Sequence, residues 1–250
     1  MITGIGFNYE SFTFPCGEIH VRLKDYSPYS SVSIKFEFQK SDELITLLLI
    51  RDAIDRAGLS LDTIEMPYVP FSRQDRVNVE GEPLSIFVLA KVINLCQARS
   101  VRIVDPHSDV TAALISRCEV IKQHEVFKNY FKGISDFWLI SPDQGALKKI
   151  YKLSANVDCV GVIEFTKNRD IRTGEIVSID TTMEDFRGKD CYILDDICDG
   201  GKTFVEIAKI LKKRNCGKIV LMVTHGFFTK GLEVFGGLID EIYTKNGRVK

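Results

Sequence analysis

The chain has 250 residues, of which 45% are hydrophobic and 27% charged, and its formal net charge is −1. These values predict a water-soluble globular protein of one large or two ordinary domains, and they give no reason to expect a nucleic-acid or membrane partner. Seven scattered cysteines without a C-x-x-C pair argue against a disulfide scaffold or a zinc site, and with no signal peptide they predict a cytoplasmic protein.

Segments of strand character alternate with segments of helical spacing along most of the chain. The predicted strands are residues 12–23, 63–67, 100–104, 137–140, 160–165, 191–194 and 218–224. The predicted helices are residues 42–57, with Ser41 as N-cap, then 84–96, 145–153 and 203–213. This alternation predicts an α/β fold of right-handed βαβ units with a mainly parallel sheet. The polar stretch 169–186 lacks helical spacing and is predicted to form a mobile flap or a hairpin.

Two domains are predicted, because phosphate-loop patterns occur only after residue 140 while the first half has its own series of strands and helices. The predicted boundary lies in residues 125–136, which divides the chain into residues 1–135 and 136–250.

Residues 192–203 are the most informative segment, because an apolar strand there runs into acids, glycines and the start of a helix. The residues that carry this pattern are Asp195, Asp196, Asp199, Gly200, Gly201, Lys202 and Thr203. Exposed amides of a tight loop and a helix N-terminus bind phosphate, whereas carboxylates suit ribose hydroxyls or Mg²⁺. The segment therefore predicts a site for a phosphorylated sugar. On these residues alone, an ordinary loop of an α/β protein is an equally good interpretation, because acids and glycines often follow a strand. The segment is not a nucleotide P-loop, because Asp196 stands where that motif requires its first glycine.

Two loops of the first half follow strands and carry polar residues. Arg73, Gln74 and Arg76 suit a polyphosphate or the edge of a nucleobase. His107, flanked by acids, is a candidate for a metal or phosphate contact. On these residues alone, a solvated surface turn is an equally good interpretation of residues 71–76.

Two loops of the second half have the same character. Asp143 ends a strand and precedes small residues that open a helix. Lys167 and Arg169 stand at the start of the polar stretch, where cations can close over a transferring phosphoryl group. On composition alone, these two cations are ordinary surface charges.

Taken in order, these segments resemble the ribose-phosphate pyrophosphokinase (phosphoribosyl pyrophosphate synthetase) family over about residues 12–246. The matching segments are residues 14–22, 67–76, 104–107, 140–146, 167–169, 195–203 and 223–228. The resemblance implies two domains of the type I phosphoribosyltransferase fold, the N-terminal one for ATP and the C-terminal one for the ribose phosphate. It also implies a homo-oligomer, because Phe14 and Glu18 would reach the ATP of an adjacent subunit.

The resemblance also implies a role for each candidate residue. ATP would contact Phe14, Glu18, Arg73, Gln74, Arg76 and His107, and Mg²⁺ would lie near His107 and Asp143. Lys167 and Arg169 would stabilise the transferring diphosphate. The ribose phosphate would be held by Asp143, Asp195, Asp196, Asp199, Gly200, Gly201, Lys202 and Thr203. The implied reaction is attack of an anomeric hydroxyl on the β-phosphorus of ATP, with release of AMP.

Residues 199–203, here called the phosphate loop, depart from the family pattern of acid-Thr-Gly-Gly-Thr, because Gly200 replaces the first threonine and Lys202 adds a cation. A lost donor and an added charge favour an acceptor whose 5-phosphate is extended. ADP-ribose is therefore slightly favoured over free ribose 5-phosphate, as in phage-type enzymes that make ADP-ribose 1-pyrophosphate for NAD⁺ synthesis. The match stops near Lys250, short of the family's last strand and helix, which leaves the usual oligomer and allosteric site open.

Two other functions stay open from the residues. A non-catalytic regulatory relative that binds a true synthetase is expected to lose the flap cations or the metal groups, which this chain retains. A phosphoribosyltransferase uses the same kind of loop as residues 195–203, but the cationic segment 73–76 argues for ATP instead.

Overall fold

In the computed structural model, residues 1–169 and 176–250 are described, together with their side chains except those of residues 167–169 and 176–177. The chain forms two compact units, Met1–Ile121 and Lys122–Lys250. Among the described residues, no helix combines the length and the apolar character needed to cross a membrane.

The first unit is built on a mainly parallel sheet. Its elements are β1 (Ile2–Ile5), β2 (Asn8–Thr13), β3 (Ile19–Lys24), β4 (Ser31–Phe36), α1 (Glu43–Arg56), β5 (Ser60–Met66), α2 (Ser85–Leu95), β6 (Ser100–Val104), α3 (Asp109–Leu114) and β7 (Cys118–Ile121). The sheet order is β1-β4-β5-β6-β7, with only β1 antiparallel to its neighbour. One apolar core holds this unit together, and it includes Ile50 and Ile54 of α1 as well as Ile64 and Ile103 of the sheet.

The second unit has a larger sheet of the same kind. Its elements are α4 (Gln123–Phe127), β8 (Trp138–Ser141), α5 (Gln144–Ser154), β9 (Gly161–Glu164), β10 (Thr166–Arg169), β11 (Ile176–Asp180), β12 (Cys191–Cys198), α6 (Lys202–Lys213), β13 (Ile219–Gly226), a 3₁₀ helix (Glu233–Phe235), β14 (Glu241–Thr244) and β15 (Gly247–Arg248). The sheet order is β15-β14-β13-β12-β8-β9, and only β15 is antiparallel.

The order of this second sheet reverses between β8 and β12. From β8 the chain moves outward to β9, and from β12 it moves the opposite way to β13 and β14. Open α/β sheets bind ligands at such a switch point, beyond the carboxyl ends of the strands. The strand order of the second unit therefore predicts a ligand-binding position between β8 and β12.

Most predicted elements are confirmed, but three segments differ from the sequence-based expectation. Residues 12–23 were expected to be one strand, and they are instead the end of β2, a turn closed by Phe14 and Glu18, and most of β3. The N-cap of α1 is Asp42 and not Ser41. Strand β12 was expected to end at residue 194 and runs on to Cys198, because its parallel pairing with β13 continues to Gly226.

The hairpin alternative for the polar stretch agrees with the antiparallel pairing of β10 with β11. Residues 170–175 of that stretch lie outside the described part of the chain. The compact units divide after Ile121, whereas the sequence placed a domain boundary after residue 135. The physical reason is that Phe127 and Phe131 bury in the core of the second unit, against Phe137 and Leu139.

Candidate functional site

The loop between β12 and α6 lies at the ligand end of the second sheet. Gly201 is the N-cap of α6 and adopts φ 79° and ψ −7°, in the left-handed region. The first amides of a helix have no intrahelical carbonyl partners, and together with the helix dipole they favour an anion. Helix α6 is anchored below this point by Phe204, Ile207 and Leu211, which are buried. The predicted phosphate loop thus has the backbone geometry of an anion site.

The two glycines of the loop are not equivalent. A Cβ on Gly201 would lie 2.9 Å from Cζ of the buried Phe235, in addition to requiring a left-handed backbone. Gly200 does not have a left-handed φ, and a Cβ there would meet Lys230 at 3.6 Å, which is ordinary contact. The fold therefore requires glycine at position 201 but does not require it at position 200.

Asp195 and Asp196 lie within β12 itself, so the sheet holds both carboxylates in place. Burial raises the pKa of Asp195 well above its usual value, and the carboxylates of Asp196 and Asp143 raise it further. Lys149 Nζ of helix α5 lies 3.9 Å from Oδ2 of Asp196, whose side chain is buried. The three acids thus form a crowded cluster of carboxyl groups on one side of the switch point, and the ammonium of Lys149 lies beside it.

Asp143 has a structural role as well as a candidate functional one. It is the N-cap of α5, and its Oδ1 accepts a hydrogen bond of 3.2 Å from the amide of Ala146. Because Ile140 of β8 pairs with Ile193 of β12, Asp143 follows its strand on the same edge of the sheet as Asp195. The strands and the cap together bring these two predicted residues to one place.

Asp199 is exposed and is fixed by the turn that follows β13. Thr229 donates its hydroxyl to Oδ1 of Asp199 at 2.7 Å, and its amide donates to the carbonyl of Asp199 at 3.1 Å. The amide of Phe227 donates to the carbonyl of Cys198 at 2.8 Å. Residues 227–231, here called the cover turn, therefore hold the phosphate loop from outside.

In the first unit, two of the predicted ATP residues, Arg76 and His107, interact with the buried acid Asp75. Asp75 accepts a hydrogen bond of 2.9 Å from Nε of Arg76. This bond lowers the pKa of Asp75 against the effect of burial, and a hydrogen bond from Ser108 and the charge of His107 lower it further. The loops after β5 and β6 therefore meet at Asp75, which interacts with both Arg76 and His107.

The other predicted ATP residues lie on exposed backbone of the first unit. Arg73 and Gln74 are exposed next to Asp75. Phe14 and Glu18 form the exposed turn of the β2–β3 hairpin, where Phe14 N donates to Glu18 O at 2.8 Å. Phe14 packs edge-on against Phe12, with ring centroids 5.0 Å apart.

Lys167 and Arg169 belong to β10, which is paired with β11. Their side chains lie outside the described part of the structure, so their assignment to the transferring diphosphate stays a prediction.

Whether the candidate residues suit Mg²⁺ depends on which atoms they offer as metal ligands. Within residues 1–169 and 176–250, no group of three or more His, Cys, Asp and Glu side chains is arranged to hold a metal. Carboxylate oxygens are the protein ligands that Mg²⁺ prefers, and the ion usually keeps several waters and binds substrate phosphates. Asp143 and Asp195 fit such an ion, whereas the imidazole of His107 is better suited to transition metals.

Four residues with site contacts were not predicted from the sequence: Lys149, Thr229, Lys230 and Asp75. Lys149 has an ordinary helix position, and Thr229 and Lys230 stand about 30 residues after the loop they contact. Only Asp75, which lies between two predicted residues, could have been suspected from its position.

The chain is similar to known proteins over most of its length. A family model described as phosphoribosyl synthetase-associated domain matches residues 174–247. The ribose-phosphate pyrophosphokinase of Pyrococcus furiosus is 31% identical over 243 residues, covering 96% of this chain and 85% of that protein. The corresponding protein of Pyrococcus abyssi is 32% identical over 243 residues, covering 96% of this chain and 84% of the relative.

Among solved structures, phosphoribosylpyrophosphate synthetase from Mycobacterium smegmatis superposes with a TM-score of 0.74. The two chains are 21% identical, and the match covers 88% of this chain and 73% of that one. At this identity the likeness shows a shared fold. It confirms the prediction of an α/β protein with mainly parallel sheets in phosphoribosyltransferase-type domains.

Proposed function

The chain belongs to the ribose-phosphate pyrophosphokinase family, and from that premise we propose that it transfers the β,γ-diphosphate of ATP to the anomeric hydroxyl of a ribose 5-phosphate unit. The observation that carries the proposal is the anion site formed by β12, the left-handed Gly201 and the start of α6. A cluster of carboxylates beside that site suits the hydroxyls of a ribose, which a phosphate site alone does not require.

The reaction forms one bond and breaks one. The anomeric oxygen bonds to the β-phosphorus of ATP, the bond from that phosphorus to the oxygen shared with the α-phosphorus breaks, and AMP leaves with that oxygen. The hydroxyl proton passes to solvent. There is little covalent work for the protein in such a transfer, so its residues act by positioning the reactants and by stabilising charge.

Each group of residues has a task in this scheme. The amides at the start of α6 and the hydroxyl of Thr203 hold the 5-phosphate, while Asp195, Asp196 and Asp199 orient the ribose hydroxyls. On the ATP side, Arg73, Gln74 and Arg76 bind the nucleotide, with Asp75 holding the Arg76 guanidinium at 2.9 Å. Mg²⁺, when bound, would neutralise phosphate oxygens, with Asp143 and Asp195 as the residues that would hold it.

We also propose that the acceptor is ADP-ribose, with ribose 5-phosphate as the competing acceptor. The supporting observation is that the backbone tolerates a side chain at position 200, so the absence of one there is not imposed by the fold. A glycine leaves space for a phosphate ester to continue outward. Lys202 is exposed in the first turn of α6, from which a cation can reach a second phosphorus.

The first test measures AMP release from ATP and Mg²⁺ with each acceptor in turn. A kcat/KM for ADP-ribose above that for ribose 5-phosphate supports the acceptor proposal, and the reverse order refutes it. If neither acceptor produces AMP, diphosphate transfer itself is refuted. A base exchange that needs pyrophosphate but no ATP would instead indicate a phosphoribosyltransferase.

The second test concerns Lys167, whose proposed role rests on family resemblance. A cation aimed at developing charge acts mainly in the transition state, so Lys167→Ala should lower kcat by about 100-fold or more and change the KM for ATP little. Lys213→Ala, which removes an exposed lysine at the far end of α6, is the control. An unchanged kcat in Lys167→Ala would show that this residue is a surface charge.

We propose in addition that the protein is a homo-oligomer in which the β2–β3 hairpin serves a neighbouring copy. Phe12 and Phe14 are 45% and 44% exposed, which is a high exposure for two aromatic rings packed edge to face. Sedimentation of Phe14→Ser should show a smaller species than the wild type. Tyr29→Ser, at a tyrosine that is 90% exposed, is the control for general surface effects.

A further inference from the structure

Lys230 lies in the cover turn, directly above the phosphate loop. The amide of Gly231 donates to the carbonyl of Phe228 at 2.8 Å, so Lys230 occupies the third position of a closed turn. Its neighbour Thr229 is bonded to Asp199 through both its hydroxyl and its amide. The backbone of Lys230 is therefore held next to the loop by hydrogen bonds on its own turn.

The side chain of Lys230 runs over Gly200. Its Cδ and Cε lie 3.6 Å, and its Cγ 3.7 Å, from the position that a Cβ on Gly200 would occupy. Three methylene carbons of Lys230 thus lie beside Gly200, where another residue would carry its side chain. Gly200 is not in the left-handed region, and a Cβ there would make only ordinary van der Waals contact with these carbons, so neither the backbone nor Lys230 requires a glycine at position 200.

The charge of Lys230 remains available to a ligand. Lys230 and Lys202 are both exposed, and within the part of the chain that the structure describes neither forms an ion pair with a carboxylate. An exposed ammonium beside helix-terminal amides adds to their attraction for an anion. The loop is therefore flanked by one cation on its helix and by another on the cover turn.

We propose that Lys230 is a phosphate-binding residue of the acceptor site, whose ammonium binds the 5-phosphate that residues 199–203 hold. This inference rests on the proposed function and adds a residue to its site. In this arrangement the lysine replaces the hydroxyl that is missing at position 200. Lys202 then serves the second phosphorus, so the two cations have different tasks.

Because Lys230 and Lys202 are proposed to bind different phosphates, their removal should affect the binding of the two acceptors differently. Lys230 contacts the 5-phosphate that both acceptors share. Lys230→Ala should therefore weaken the binding of ribose 5-phosphate and of ADP-ribose alike, by about tenfold or more for the loss of one charge-assisted contact. Lys202→Ala should weaken the binding of ADP-ribose alone. A failure of the ADP-ribose proposal thus appears in Lys202→Ala, and a failure of the Lys230 proposal appears in Lys230→Ala.

The experiment measures dissociation constants by isothermal titration calorimetry, without ATP. The probes are ribose 5-phosphate, ADP-ribose and inorganic phosphate. They are titrated into wild type, Lys230→Ala, Lys230→Arg, Lys202→Ala and the control Lys213→Ala. We expect weaker binding of all three probes by Lys230→Ala, wild-type affinity within about threefold for Lys230→Arg, and no change for Lys213→Ala. Inorganic phosphate keeps the test valid if neither sugar phosphate binds.

The proposal is overturned if Lys230→Ala binds all three probes as tightly as Lys213→Ala does. It is also overturned if Lys230→Arg loses as much affinity as Lys230→Ala, since a charge-based contact survives that replacement. Unfolding followed by Trp138 fluorescence confirms that each variant has the wild-type midpoint, which separates lost binding from lost structure.

Discussion

The two glycines of the phosphate loop allow a matched test of the local structure, because only one of them is required by the fold. Gly201→Ala forces an alanine into a backbone with φ 79° and places its Cβ 2.9 Å from Cζ of Phe235. Gly200→Ala adds the same methyl group one residue earlier, without a left-handed φ and at 3.6 Å from Lys230. Both variants add one methyl group, so a difference in stability between them reports the local backbone and the local contacts.

The expected magnitude follows from two contributions. A non-glycine residue in the left-handed region costs about 1–2 kcal/mol. Overpacking a buried site costs about 1–3 kcal/mol, and Phe235 is fully buried. Gly201→Ala should therefore lose about 2–5 kcal/mol of unfolding free energy, whereas Gly200→Ala should stay within about 0.5 kcal/mol of wild type.

The assay is urea unfolding followed by the fluorescence of Trp138. This is the single tryptophan of the chain, and it lies in β8 of the same compact unit as the loop. Its signal therefore reports that unit even if the two units unfold separately. Equal midpoints for the two alanine variants would refute the reasoning, because they would show that neither the left-handed backbone nor the contact with Phe235 restricts position 201.

Three further predictions concern the surroundings of the site. Lys149→Met should lower the unfolding free energy, because the negative charge of the buried Asp196 loses the cation beside it. A double-mutant cycle with Asp196→Asn should give a coupling energy of about 0.5 kcal/mol or more, and additive effects would contradict a contact. Thr229→Val should raise the acceptor KM severalfold without changing the KM for ATP, because Asp199 loses its 2.7 Å hydrogen bond; an unchanged acceptor KM would remove Asp199 from the site. The hydrogen bond from Lys218 lowers the pKa of Glu241 below its unfolded value, so the stability contributed by this pair is complete above about pH 5 and is lost as pH falls through the lowered pKa. The difference in unfolding free energy between wild type and Glu241→Gln should therefore shrink between about pH 5 and pH 3, and a constant difference would refute the pairing.

The sequence by itself determined the alternation of strands and helices, the order of the polar loops and the chemistry of the phosphate loop. These features are local: a period of two or 3.6 residues and a run of acids before glycines are visible within about a dozen neighbours. For the same reason β6 and α6 were predicted closely. The length of β12 was not, because its continuation through Asp195 and Asp196 depends on pairing with β13.

Tertiary structure decided which residues support the site. Gly200 and Gly201 look alike in the sequence, and only the position of Phe235 and the backbone φ show that one of them is required. Lys149, Thr229 and Lys230 come to the loop from elements far away along the chain, and no local pattern distinguishes them from other surface residues. Contacts between distant segments arise from how the sheet is ordered and how the turns close over it, and that order is a property of the packed fold.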